Sequence, residues 1–266
     1  MVSSNNNLST NSEKPYEPIF DAQGNNYPVL QNIWSSVYGD DYPEDADPTN
    51  FVTLTDLKRI VDSLPTSLSR PIVDLGCGRG KFTVWLAQQV KARFIGIDLF
   101  EEAISYAQSF SRSKGLDEVV HFQQGLFEES KLPSSSCDAA ISTDALMFAS
   151  DRFAALQETA RILTPGAPFI FTSWEMTHPS PSLKLDAISD YSPLLKEAGF
   201  DIEVYEEIPN WKQRQRAILS GILEAKDALV RDIGEAGAMH LCRWALERPK
   251  ELDYNRRIFV VARLLH

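Results

Sequence analysis

The chain has 266 residues, 43% hydrophobic and 24% charged, which is typical of a globular protein and excludes collagen-like, disordered and membrane-spanning classes. Its 26 Lys and Arg residues against 37 Asp and Glu residues give a formal net charge of -11. This charge would repel nucleic-acid phosphates and anionic lipids alike, so we expect neither nucleic acid nor a membrane as a partner.

The cysteines have no spacing of functional meaning. Cys77, Cys137 and Cys242 are an odd set, with neither the pattern of a disulfide framework nor that of metal ligands. We therefore expect a reducing compartment, the cytoplasm, and no metal site.

The N-terminal part of the chain changes in character along its length. Residues 1–14 are rich in Ser and Asn, which predicts a disordered tail before a single domain over residues 15–266. Residues 16–48 are rich in aromatic side chains and are predicted to be irregular. Residues 51–64 place apolar side chains at steps of three and four, which predicts an amphipathic helix. We expect residues 15–64 to form an N-terminal helical lid.

From residue 71 onward, short strands alternate with helical patterns. This alternation predicts an α/β fold of Rossmann-like type, with a seven-stranded, mostly parallel sheet and helices on both faces. Residues 210–253 are mostly helical and form an insertion before the last strand, placed to act as a second lid. The predicted strands are 71–75, 93–98, 119–123, 138–142, 168–174, 201–208 and 256–265, and the predicted helices are 81–90, 101–110, 151–163 and 192–200.

The sequence VDLGCGRG, residues 73–80, joins the first of these strands to a helix. Glycines in such a turn let a ligand approach closely, and the helix end offers unpaired N–H groups. The spacing is GxGxG, whereas the dinucleotide fingerprint is GxGxxG. Asp74 would suit an ammonium group better than a pyrophosphate. The turn therefore favours a cationic ligand without phosphate and disfavours a nicotinamide dehydrogenase.

A second signal is Asp98, at the end of the next strand and 18 residues after Gly80. A carboxylate there can accept hydrogen bonds from both hydroxyls of a ribose. With these two motifs, the sequence resembles the class I S-adenosylmethionine (SAM) dependent methyltransferases over residues 55–200 and the last strand. A third feature, LTPGAPFIFTSW at 163–174, is similar to the family's L-x-P-G-G turn but has Ala167 where glycine is usual.

The resemblance implies how a cofactor would be held. Gly76 and Gly78 would lie under the methionine part of SAM, Asp74 would face its ammonium group, and Asp98 would hold the ribose. The family often has an acid after the third strand that reaches the adenine, and here backbone and apolar contacts would replace it. The residues expected to contact the cofactor are Asp74, Gly76, Cys77 (as a small filler), Gly78, Asp98, Leu99, Gly125, Leu126, Phe127 and Thr143.

The sequence says less about the residues that would contact the methyl acceptor than about those that would contact the cofactor. Asp144 follows the fourth strand, next to where the family places the methyl group, and His178 lies in the loop after the fifth strand. Either is a candidate general base. Five aromatic residues are candidates to line an apolar acceptor pocket, although each could equally be a core residue: Trp34, Tyr38, Phe148, Trp174 and Trp211.

We therefore expect a methyltransferase that uses SAM, releases S-adenosylhomocysteine (SAH) and acts on a small-molecule acceptor, a natural product or metabolite. An obvious metal-ligand cluster is absent from the sequence, which argues against the magnesium-assisted type. Two alternatives stay open: a cyclase or pericyclase built on the same fold, because function depends on the site, and a non-catalytic binding partner. The sequence leaves a monomer and a homodimer equally open.

Overall fold

A computed structural model describes residues 27–44, 46, 51–179 and 188–265. The proposed tail, residues 1–14, lies outside the described residues, as does part of the proposed N-terminal lid. The helices are α1 (Pro28–Tyr38), α2 (Leu54–Ser63), α3 (Lys81–Gln89), α4 (Glu101–Ser113), α5 (Arg152–Ile162), α6 (Ser192–Glu197), α7 (Trp211–Glu224) and α8 (Lys226–Glu247). The strands are β1 (Ile72–Leu75), β2 (Phe94–Asp98), β3 (Val120–Gln124), β4 (Ala139–Thr143), β5 (Pro168–Met176), β6 (Phe200–Glu207) and β7 (Asn255–Leu264).

The strands form one seven-stranded sheet in the order β3-β2-β1-β4-β5-β7-β6. Strands β1 to β5 pair in parallel, and β7 runs antiparallel to both of its neighbours. The predicted α/β fold with a mostly parallel sheet is therefore confirmed. The chain runs from β1 through β2 to β3 on one side of β1, and then continues with β4 on the other side of β1. In open α/β sheets, ligands bind at the carboxyl ends of the strands beside such a reversal.

Three apolar clusters hold the fold together. One packs α2, α3 and α4 against a face of the sheet, and a second packs α5 and α6 against the opposite face. The third joins α1, α7 and α8 with Trp174 of β5. The first two clusters account for the buried sheet, while the third brings the N-terminal helix and the insertion together over the sheet.

Helix α1 corrects one expectation. Residues 28–38 lie in the stretch predicted to be irregular, yet they form a helix with Pro28 in its first turn. Leu30, Trp34 and Tyr38 are its buried residues, four positions apart on one face. An isolated helix of this length is marginal in water, so its stability depends on packing against α7 and α8.

Helix α2 begins later than the sequence pattern indicates. Thr53 accepts a hydrogen bond from the N–H of Asp56, and the Asp56 carboxylate accepts one from the N–H of Thr53, which forms a capping box. This box fixes the helix start at Leu54. Phe51 therefore precedes the helix, and its ring contacts Trp34 and Trp174 instead.

The helical insertion lies between β6 and β7, as predicted. It consists of α7 and α8, and α8 is kinked at Gly234, which has a non-helical backbone. Within the described part of the chain, no helix combines the length and the apolar character needed to cross a membrane.

Candidate active site

The glycine turn lies between β1 and α3, as the sequence predicts. The N–H groups of Gly76 and Cys77 donate to the carbonyl of Ile97 at 2.8 and 2.9 Å, which ties the turn to the end of β2. Gly78 has φ +53°, and a β-carbon built on it would meet no atom within 4 Å. The turn thus has an open outer side where a ligand can approach the backbone.

Gly76 is in a different environment. A β-carbon there would lie 2.6 Å from Ala145 and 2.7 Å from the Phe127 ring. The segments that follow β3 and β4 are therefore packed against the turn. This contact brings three predicted positions together, Gly76, Phe127 and the chain around Asp144.

Asp98 is fixed at the end of β2 by two backbone donors. The N–H of Gly78 donates to Oδ2 at 2.8 Å, and the N–H of Phe100 donates to Oδ1 at 3.0 Å. Burial raises the pKa of Asp98, and the backbone N–H groups of Phe100, Gly78 and Leu99 lower it in part. Each carboxylate oxygen can accept a second hydrogen bond, so the group keeps capacity for two hydroxyls of a ligand.

Asp74 is 1% exposed, and only one of its two carboxylate oxygens has a hydrogen-bond partner among the described residues. Thr83 Oγ1 donates to its Oδ2 at 2.5 Å, while Oδ1 has no partner among the described residues. Burial raises the pKa of Asp74 to about 7, with Thr83 lowering it and Asp98 raising it further. A buried carboxylate oxygen without a partner fits a cationic ligand group better than an anionic one.

Two apolar side chains stand exposed where the adenine of a cofactor is expected. Leu99 follows β2 and is 52% exposed, and Leu126 follows β3 and is 41% exposed. The N–H of Gly125 donates to the Asp98 carbonyl, which holds these two segments side by side. The nearby acid, Glu128, accepts hydrogen bonds from Ser150 and from the N–H of Asp151, which caps α5. The segments after β2 and β3 therefore offer a flat ring apolar contacts.

Cys77 contributes to the turn through its backbone. Its thiol is buried, and Sγ would lie 2.9 Å from a β-carbon on Gly96, within the sheet. Burial raises the pKa of the thiol well above its ordinary value. The side chain thus faces the core and not the open side of the turn.

Asp144, a candidate base, is part of a buried ionic cluster. Arg257 Nε donates to its two carboxylate oxygens at 3.0 and 3.2 Å, and Arg257 Nη1 donates to Asp56 at 2.8 Å. The Arg257 side chain is 1% exposed. Burial acts to lower the pKa of Arg257, but Asp144 and Asp56 outweigh burial and raise it, so the guanidinium stays charged. Sequence reasoning missed Asp56 and Arg257; for Arg257 the available signal was the pair of arginines, Arg256 and Arg257, at the start of the final strand before an apolar run.

His178, the other candidate base, lies apart from this cluster. Thr172 of β5 pairs in register with Thr143 of β4, and β5 then continues four residues, about 13 Å, before it ends at Met176. His178 follows that end, exposed, with Nδ1 3.1 Å from Thr177 Oγ1 and its ring against Tyr254. The structure does not bring His178 next to Asp144.

The aromatic candidates fall into two groups. Trp174 and Trp211 contact edge to face at 4.9 Å, and Trp34 reaches them through Phe51. Phe148 instead is 37% exposed, on a short turn after β4. A cavity of about 10 Å³ is lined by Tyr38, Phe51, Trp174, Trp211, Arg214 and Arg257. Three predicted aromatic residues therefore share a cavity, together with Phe51 and two arginines that the sequence reasoning did not single out as pocket residues.

Comparisons with known proteins agree with this geometry. The profile of a methyltransferase domain family matches residues 73–171, from β1 into β5. The methyltransferase GfsG of Streptomyces halstedii is 25% identical over 197 residues, covering 68% of this chain and 69% of that protein. The 27-O-demethylrifamycin SV methyltransferase of Amycolatopsis mediterranei is 24% identical over 205 residues, covering 69% and 75%.

A solved structure shares the fold across nearly the whole chain. The [4+2]-cyclase SpnF superposes with a TM-score of 0.70 at 18% identity, covering 90% of this chain and 94% of that chain. The strand order, the glycine turn after β1, the acid after β2 and the matched domain lead to one assignment. Residues 73–171 carry a methyltransferase domain, and the chain as a whole is similar to the class I SAM-dependent methyltransferases.

Proposed function

We propose that this methyltransferase transfers the methyl group of SAM to a small, largely apolar molecule of secondary metabolism. The observation that carries the proposal is the open turn at Gly78, which lies between two carboxylates, one of them with an unpaired buried oxygen. The natural-product methyltransferase among its relatives supports this acceptor class.

The residues around the turn fit SAM. Bound SAM supplies a methyl group that is already activated on a sulfonium. Asp98 would accept hydrogen bonds from the ribose hydroxyls, and Asp74 Oδ1 would receive the ammonium group. Leu99 and Leu126 would cover the adenine, and Gly78 would let the backbone approach the cofactor closely.

The acceptor side aligns the reacting partner and excludes water, which is the main requirement of an in-line methyl transfer. The aromatic rings of Tyr38, Trp174 and Trp211 would form the walls of this site, and α1, α7 and α8 would close over it as a lid. If the acceptor is a hydroxyl, a base helps; Asp144 is held by Arg257 and His178 lies apart from it, so either would serve only where the bound acceptor places its hydroxyl within hydrogen-bond reach.

The decisive experiment incubates the protein with methyl-labelled SAM and a panel of hydroxylated, amino and carbon-nucleophile acceptors. We expect label in one product and stoichiometric SAH. Replacing SAM by SAH must stop turnover; unchanged turnover with SAH would show a cyclase or pericyclase instead. His178→Ala and Asp144→Asn, each assayed across pH, then identify a base if the loss of rate shrinks at high pH.

We also infer that the protein works in the cytoplasm without a nucleic-acid or membrane partner. All three cysteines are free and buried, which suits a reducing compartment, and the net charge of -11 disfavours polyanions. Light scattering of the purified chain distinguishes a monomer from a homodimer.

A further inference from the structure

One nitrogen of the buried Arg257 has no hydrogen-bond partner. Nε and Nη1 donate to Asp144 and Asp56, but the buried Nη2 makes no hydrogen bond to any described residue. A buried charged donor without a partner is costly, so such an atom indicates a missing acceptor, whether water or ligand.

The same arginine lines the aromatic cavity. Tyr38, Phe51, Trp174 and Trp211 form its apolar walls, and its volume of about 10 Å³ is close to the space of one water molecule. Arg257 and Arg214 bring charged groups to this otherwise aromatic enclosure, and Arg257 is the one of the two with a buried nitrogen that lacks a partner among the described residues. A ring-containing acceptor is larger than this volume, so its entry would require α1, α7 and α8 to move apart.

The local charge restricts what oxygen could bind there. Two carboxylates, Asp56 and Asp144, surround one guanidinium, which leaves the cluster with one excess negative charge. The second arginine of the cavity, Arg214, is paired with Asp41 at 2.8 Å and adds no free positive charge. An anionic ligand would therefore be repelled by the cluster even though Nη2 could donate to it.

We propose that Arg257 is a specificity-determining residue, whose Nη2 donates a hydrogen bond to a neutral carbonyl or hydroxyl oxygen on an apolar, ring-containing methyl acceptor. This proposal rests on the proposed function and narrows its substrate class. Carboxylates and oxygen-free hydrocarbons of the same shape are the molecules that this arrangement discriminates against.

The test uses three probes of matched shape, 2-acetylnaphthalene, 2-ethylnaphthalene and 2-naphthoate, measured by calorimetry on the SAH-saturated protein. The ketone should bind about tenfold or more tightly than the hydrocarbon, because a charged donor otherwise stays unpaired, and the naphthoate should bind more weakly than the ketone. Equal affinities for the three probes, or no detectable binding of the ketone, would overturn the proposal.

Two arginine variants test whether Arg257 is the source of the preference for the ketone over the hydrocarbon. Arg257→Lys keeps the positive charge but removes Nη2, so the tenfold ketone preference should vanish. Arg214→Lys makes the same chemical change on the other cavity arginine and should preserve it. A preference that survives in Arg257→Lys refutes the assignment. SAH affinity is measured separately on the wild type and on each variant, and it reports on the cofactor site. Failure of the wild type to bind SAH would count against the proposed function and not against this inference.

Should Arg257→Lys fail to fold, Asp56→Asn carries the test. This change removes one negative charge beside Arg257 while keeping the size of the side chain. The affinity for 2-naphthoate relative to that for the ketone should rise by about fivefold or more, because the excess negative charge is gone. An unchanged ratio contradicts the charge argument and with it the proposal.

Discussion

Asp74 and Arg257 each bury a polar atom that the described residues leave without a partner, Oδ1 in one and Nη2 in the other. Such atoms destabilise a fold by about 1 to 3 kcal/mol each, so they are rarely retained without a compensating contact. Both lie where a ligand group is proposed, the ammonium of SAM and an acceptor oxygen. Ligand binding would therefore restore hydrogen bonds that folding alone leaves unmade.

Asp98→Ala should weaken SAH binding by about 1 to 3 kcal/mol, because hydrogen bonds from the ribose hydroxyls to a carboxylate are lost. Calorimetry with SAH gives the affinity directly. Asp117→Ala removes an exposed aspartate in the turn between α4 and β3 and is the matched control, expected to bind as the wild type does. Equal affinities in the two variants would move the ribose site elsewhere.

Asp74→Asn should change how stability depends on pH. The folded-state pKa of Asp74, about 7, lies above its ordinary value, so its contribution to stability is fully present below about pH 4 and is lost as pH rises through 7. The free energy of unfolding of the wild type relative to Asp74→Asn should therefore fall by roughly 2 to 4 kcal/mol from pH 4 to pH 8. Urea titrations at several pH values measure it.

SAH binding provides an independent check on Asp74. A ligand ammonium favours the ionised carboxylate, so wild-type affinity for SAH should rise between pH 6 and pH 8, with release of a proton. Asp74→Asn should lack this rise. A pH-independent wild-type affinity would mean that the ammonium group does not approach Asp74.

In the proposed function, the β1–α3 turn holds the cofactor, and α1, α7 and α8 form the lid over the acceptor. The turn is set by hydrogen bonds to the end of β2, so its shape is local to the first β-α-β unit. The lid depends on α1, α7 and α8 packing together, which joins segments far apart in sequence. Changes in the turn should therefore affect the cofactor, and changes in the lid the acceptor.

Gly78→Asn should abolish measurable SAH binding while the protein still folds, because asparagine tolerates a positive φ but fills the open side of the turn. Gly115→Asn is the control. Gly115 also has a positive φ with open space around it, at the end of α4, so the backbone strain is similar and SAH binding should persist. Normal SAH affinity in Gly78→Asn would show that the cofactor does not lie on this turn.

Trp211→Leu should raise the acceptor KM by about tenfold or more while SAH affinity changes little, because the Trp211 ring forms a cavity wall against Trp174. Leu223→Ala changes a partly exposed residue of the same helix and should leave both constants near wild type. Steady-state kinetics and calorimetry separate the two effects. Equal weakening of acceptor and SAH would contradict a division between lid and turn.

For the whole molecule, SAH binds the folded state and should raise the melting temperature by about 5 to 10 °C at a hundredfold excess over its Kd. NAD at the same concentration should leave it unchanged, because the GxGxG turn and Asp74 disfavour a pyrophosphate. Differential scanning calorimetry makes the comparison. A larger shift with NAD than with SAH would overturn the cofactor assignment.

The places of the glycine turn and of Asp98 in the fold could be predicted because their signals are local. The strand before Asp74, the glycines that follow and Asp98 at the next strand end lie within one β-α-β unit, where periodicity and turn chemistry decide the structure. Helix α1 shows the opposite case. Leu30, Trp34 and Tyr38 do have helical spacing, but Pro28 and the aromatic content obscured it, and packing against α7 and α8 stabilises the helix.

The sequence by itself determined the fold class, the cofactor turn and the acid at the end of β2, because each depends on neighbours within a few tens of residues. Only the tertiary structure decided which residues surround the aromatic cavity and the buried arginine. Asp56 and Arg257 are 201 residues apart, and they meet Asp144 because β7 returns antiparallel beside β5 after the helical insertion. A buried ion cluster of this kind leaves no periodic pattern in the sequence. Its members meet because the folded sheet brings distant segments of the chain to the same edge.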